Sequence, residues 1–139
     1  MLEQLIAGAG DWRGTNMLQD PEMGLQPETT DSTLTIAPVL DGRFVRLDYT
    51  WSYKGAPHAG SMLVGHQKKA GVVTVHWIDS WHNGEKGMPM EGAAGEGPID
   101  VRGSYAVPNA PPWGWRIRID PSGDVLHVRM DNVSPEGQE

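Results

Sequence analysis

The chain has 139 residues, a formal net charge of −7 and no cysteine. That length fits one domain that can bury a core unaided, and the missing cysteine excludes disulfides, zinc–thiolate and iron–sulfur sites and a cysteine nucleophile. The acidic balance without a basic run argues against nucleic acid as a partner, and no apolar stretch reaches the ~18–20 residues of a membrane-spanning helix.

In chain order, Leu2, Leu5 and Ile6 have the i, i+3, i+4 spacing of a short helix that closes one end of the fold. The early Glu3 and the lack of a basic opening argue against a signal peptide, so a cytoplasmic location is expected. Gly10-Asp11-Trp12-Arg13-Gly14-Thr15 then opens the first strand, with Trp12 placed to plug a barrel floor and Gly10 and Gly14 to admit close backbone approach. Residues 19–31 are polar and proline-punctuated, and read as a long loop. Asp41-Gly42 reads as the tightest hairpin.

The later stretches show a period of two. Val45, Leu47, Tyr49 and Trp51 share one face of a strand. Ile99, Val101, Tyr105 and Val107 share that of another, and Trp113, Trp115, Ile117 and Ile119 that of a third. Turn signals separate them at short intervals, so consecutive strands are antiparallel neighbours. The expected fold is all-β: an up-and-down meander of about eight to ten strands closed into a single barrel domain over residues 1–139, with a short N-terminal helix. The segment Ser134 to Glu139 reads as frayed.

The chemistry concentrates in Val72 to His82. The odd positions Val73, Val75, Trp77, Asp79 and Trp81 are the more apolar and are placed inward, which sets Asp79 among tryptophans. A carboxylate there anchors a ligand, acts as a general base, or is tied to backbone N–H groups, an Arg or Tyr105. The apolar pattern prefers a two-residue loop before this strand, with Met62 opposite Asp79, Val64 opposite Trp77 and Gly60 opposite Trp81; a three-residue loop would place His58 opposite His82.

Five segments in one order carry a family resemblance: Gly10-Asp11-Trp12, Gly42-Arg43-Phe44-Val45, Asp79-Ser80-Trp81-His82, Gly103-Ser104-Tyr105 and Pro112-Trp113-Gly114-Trp115-Arg116. Over Leu2 to Pro135 the chain resembles the bacterial family known as domain of unknown function 1579, a lipocalin-like group of the calycin superfamily. The resemblance implies a β-barrel with an internal cavity and no established activity. The opening pattern is also similar to that of the nitrobindins, which bind haem through a histidine near the C-terminus. Here His127 alternates with Leu126 and Val128 and shares the face of Val125, Arg129 and Asp131, which points it to solvent and away from haem.

Three functional readings follow. In the first, a small apolar or aromatic ligand sits in the lumen between Trp77, Trp81, Tyr105, Trp113 and Trp115, anchored by Asp79 with His82 at the rim. In the second, Asp79 or His82 serves as acid or base on a small molecule in the same cavity. In the third, the lumen is filled and the barrel is a structural or interaction protein, acting as a homodimer. No cofactor or metal is expected: His76 and His82 would lie about 20 Å apart along one strand, too far to share an ion. No Gly-x-Ser-x-Gly elbow or phosphate loop is present.

Overall fold

The computed structural model describes residues 1–21 and 24–139. A short helix, α1 (Leu2–Ala7), precedes nine strands: β1 (Gly10–Asp20), β2 (Leu25–Val39), β3 (Phe44–Tyr53), β4 (Ala56–Gln67), β5 (Val72–Asp79), β6 (Met88–Ala93), β7 (Ile99–Val107), β8 (Ala110–Asp120) and β9 (His127–Val133). They form one antiparallel sheet in strict sequence order, β1 to β9. The sheet curls into a half-barrel, and among the described residues no ladder joins β9 back to β1. No described helix is long and apolar enough to cross a membrane.

Alternation places the core as expected. Val45 and Leu47 on β3, Met62 and Val64 on β4, Val73, Val75 and Trp77 on β5, Val101 on β7, and Ile117 and Ile119 on β8 are all buried on the concave side. Leu2 and Leu5 of α1 join this cluster and cap one end. Trp12 packs at the same end, its Nε1 donating to the Gly8 carbonyl at 2.7 Å. The concave space on the α1 side is therefore filled with side chains, and strands β3, β5 and β8 carry their Tyr53, Asp79 and Trp113 ends away from it.

Several expectations are corrected. Residues 19–31 are not a long loop: β1 and β2 pair through them as a long hairpin, with Leu18 opposite Glu28 and Asp20 opposite Leu25. Pro27 is tolerated because it falls at the irregularity between Leu18 and Asp20, where the ladder is already broken. Glu22 and Met23 of this stretch lie outside the described residues. Asp41-Gly42 is not the tightest hairpin, since Val39 pairs with Phe44 across four residues. Two-residue turns occur at Pro108-Asn109, where Val107 pairs with Ala110, and at Lys54-Gly55, where both residues have positive φ, 50° and 80°, as a primed turn requires.

Gly14 has open space where a Cβ would stand, and Gly10 is needed for its φ of 125° rather than for a close approach. Ser134 to Glu139 is docked rather than frayed. Ser134 is buried and bonded to Gln138 at both its amide and its hydroxyl, and Glu139 accepts from Arg116 at 2.8 Å.

The β4–β5 register matches neither sequence alternative. The loop is four residues long, Gln67 pairs with Val72, and Gly60 stands opposite Asp79 with Met62 opposite Trp77. Gly71, in the left-handed region at φ 68°, closes the turn by donating to the Gln67 carbonyl. The slip from the apolar-pattern register is two residues, so it preserves the inward face of Val73, Val75, Trp77 and Asp79.

Candidate functional site

The half-barrel end opposite α1 carries an aromatic cluster built around Asp79, the last residue of β5. The chain leaves the strand there, and Asp79 Oδ1 accepts from the backbone N–H groups of Trp81 at 2.8 Å and His82 at 3.2 Å. This side-chain-to-backbone turn breaks the period-two alternation, as Asp does when it mimics a backbone turn. It swings the His82 ring back beside Asp79, with Nδ1 3.1 Å from Oδ1. The other oxygen, Oδ2, accepts from Tyr49 Oη at 2.5 Å and Trp51 Nε1 at 3.4 Å. Trp77 Nε1 in turn donates to Tyr49 Oη at 2.9 Å. Asp79 is thus tied to β3, to its own strand and to the loop that follows.

Burial alone would raise the Asp79 carboxyl. The hydrogen bonds from His82, Tyr49 and the Trp81 amide outweigh it and hold the group below the ordinary carboxylate value, so it is ionised. Burial, and then the Asp79 charge, push the Tyr49 phenol far up, so it stays a donor. With an anion accepting at Oδ1, His82 carries its hydrogen on Nδ1. His82 Nε2 makes no hydrogen bond among the described residues, and the side chain remains 27% exposed.

Rings surround this dyad. Trp51 stacks on Trp81 at 5.0 Å and on His58 at 4.7 Å. Tyr53 leans on Trp81 at 5.1 Å, and Trp77 stacks on Trp115 at 5.1 Å, 8° from parallel. His82 lies 4.9 Å from Trp115 and 5.5 Å from Trp77, bridging the two groups. Trp81, His82 and Trp115 keep partial exposure, whereas Trp51, Tyr53 and Trp77 are buried.

Of the residues expected at the site, Trp77, Asp79, Trp81, His82 and Trp115 come together. Tyr105 and Trp113 pair with each other one step along β7 and β8, without ring contact to the cluster among the described residues. Tyr105 does not serve Asp79; its hydroxyl donates to Asn132 Oδ1 at 2.6 Å. Asp79 is 1% exposed at its side chain, and both of its oxygens accept hydrogen bonds from the protein. The Ser-His-Asp residue types split into two pairs: Asp79 with His82, and Ser80 Oγ with His58 Nδ1 at 3.1 Å. His58 therefore faces Ser80, not His82. His127 is exposed on the outer face of β9.

Tyr49, Trp51, Tyr53 and His58 join the cluster beyond the residues expected to contact a ligand. The first two share the inward face of β3 with Val45 and Leu47. For Tyr49 the signal was the small residue across the ladder, since Gly60 faces it and has no room for a Cβ.

A family model matches residues 1–139, the whole chain. The chain belongs to the DUF1579 family, proteins of unknown function. No curated protein matches it. In this DUF1579 chain the Asp79-Ser80-Trp81-His82 segment supplies the turn, the carboxylate and the exposed imidazole of the cluster. Two hollows of about 410 and 570 Å³ lie at the α1 end, lined by Trp12 and Val125 in one and by Ile6, Phe44 and His76 in the other, and no residue of the Asp79 cluster lines either.

Proposed function

We propose that the aromatic end of the half-barrel binds a small, planar apolar or aromatic molecule. The observation that carries this reading is the row of rings Trp81, His82 and Trp115, held in place by buried Trp51 and Trp77 yet partly open. Planar ligands gain from such rings by stacking, worth about 0.5–1.5 kcal/mol per pair beyond area burial. The site is the mouth rather than the deep lumen, because side chains already fill the α1 side. His82 takes over the polar contact from Asp79, whose oxygens are engaged internally.

The up-and-down order of the strands, the helix across one end and the Gly10-Asp11-Trp12 opening support a lipocalin-like placement. The cysteine-free, acidic composition suits the cytoplasm.

Tryptophan fluorescence, titrated with naphthalene, indole, 2-naphthol and decanoate, tests the reading. Saturable quenching by the three planar compounds, weakened roughly three- to tenfold in Trp115→Ala, is the expected result. Unchanged emission across the panel, or equal affinity in the variant, contradicts it.

A further inference from the structure

We infer that His82 is a proton acceptor in the mouth, and that the class of ligand it selects is a hydroxylated aromatic. The inference rests on the binding reading above and names the ligand's chemistry.

Asp79 Oδ1 is 3.1 Å from His82 Nδ1 and also holds the His82 backbone amide at 3.2 Å, so one carboxylate fixes both the position and the tautomer of the ring. Nδ1–H is the donor, which leaves the lone pair on Nε2. Trp115, Trp77, Trp81 and Trp51 pack around the ring, with centroids at 4.9, 5.5, 5.8 and 5.9 Å. The Nε1–H of Trp115 is a buried donor without a partner among the described residues, and the acceptor that the part-exposed rings leave for a stacked planar molecule is His82 Nε2. A hydroxyl on the aromatic edge satisfies it, whereas a carbonyl or carboxylate does not.

The pairing also sets the chemistry. The phenolic O–H bond breaks, its electron pair stays on oxygen, and the proton forms the Nε2–H bond. The product is a phenolate beside an imidazolium whose two N–H groups face the phenolate and Asp79. No other reactant is consumed, and the step is reversible. Asp79 holds the ring in place at Nδ1 while Nε2 takes the proton. The other titratable groups in the cluster are Tyr49, which is held neutral and donates to Asp79, Tyr53, and His58, which faces Ser80. None of them brings a second carboxylate to the ring. Asp79 acts through His82 and is a positioning residue.

The test uses 4-nitrophenol, whose ionised form has its own absorption band. Binding is read from tryptophan fluorescence and ionisation from absorbance, across a pH series. The expected result is that the bound probe ionises about tenfold more readily than the free one, one unit in midpoint. In His82→Gln the probe binds more weakly, on Trp81 and Trp115 alone, and the fraction that binds ionises as it does in solution. In Asp79→Asn the shift shrinks while His82 is still present, which a purely structural Asp79 would not produce. Binding to the wild-type chain with no shift in ionisation overturns this inference and leaves the stacking reading standing. No binding of the probe, together with no response to naphthalene or indole, overturns both. Binding of the planar hydrocarbon alone overturns only the selection of a hydroxyl.

Discussion

Gly60 lies directly beneath the Tyr49 hydroxyl, across the β3–β4 ladder, and a Cβ at that position would overlap the phenol oxygen. The small residue is what allows Tyr49 to reach across and donate to Asp79. Gly60→Ala must push the ring aside, and overpacking of this kind costs about 1–3 kcal/mol. Urea unfolding should show that loss; it should persist in a Tyr49→Phe background, whose ring carbons Cζ and Cε1 still overlap the added Cβ, and should nearly vanish in Tyr49→Ala.

The Asp79 network makes stability depend on acid. The carboxyl is lower in the fold than its value of 3.8 in the open chain, so its contribution is fully present above that pH and is lost as pH falls through the folded value. Asp79→Asn should cost about 1.5–3 kcal/mol at neutral pH, the range for hydrogen bonds to a charged group. The gap between variant and wild type should close as melting is followed below pH 3.8. A gap of constant size down to the acid limit would mean that the charge of Asp79 adds nothing.

Tyr49 produces the opposite dependence at the alkaline end. Its phenol is raised well above the ordinary 10.0 by burial and by the Asp79 charge. A raised group gives stability that is whole below the unfolded value and is lost as pH rises beyond it. Wild-type melting should therefore fall above pH 10, as the unfolded chain gains a phenolate that the fold refuses. Tyr49→Phe, less stable at neutral pH by about 1 kcal/mol for the lost hydrogen bond, should lack that part of the decline.

Tyr53 is a contrasting case on the same strand. Its hydroxyl is buried without a partner among the described residues. Such a group costs desolvation without return, so Tyr53→Phe should be neutral or should stabilise by up to about 1 kcal/mol. Thermal melting distinguishes this from a loss, which would show that the hydroxyl has a partner in solution.

The sheet was legible because its strands are wet on one side. Val45, Leu47, Val73, Val75, Val101, Ile117 and Ile119 alternate with polar neighbours, and their inward face follows from period two alone. Register was harder to read. Slipping β5 by two residues leaves every face unchanged, so the apolar pattern is blind to it, and the length of the turn around Gly71 decided the outcome. Asp79 was readable as a buried carboxylate because strand alternation still holds at the end of β5. His82 was not readable as its partner, because alternation ends where the Asp79 side chain caps the turn. The hairpin through residues 19–31 was hidden by Pro27, which reads as a break unless the bulge beside it is known. The docking of Glu139 depends on Arg116 from another strand, a long-range pairing that local composition does not reveal.

The most direct measurement follows the six indole N–H signals of the chain by ¹H–¹⁵N correlation NMR while 2-naphthol is added. Saturable shifts are expected at Trp81 and Trp115, smaller ones at Trp77, and none at Trp12, which packs at the α1 end. Shifts centred on Trp12, with Trp81 and Trp115 unmoved, would place the ligand at the wrong end of the barrel and contradict the central claim.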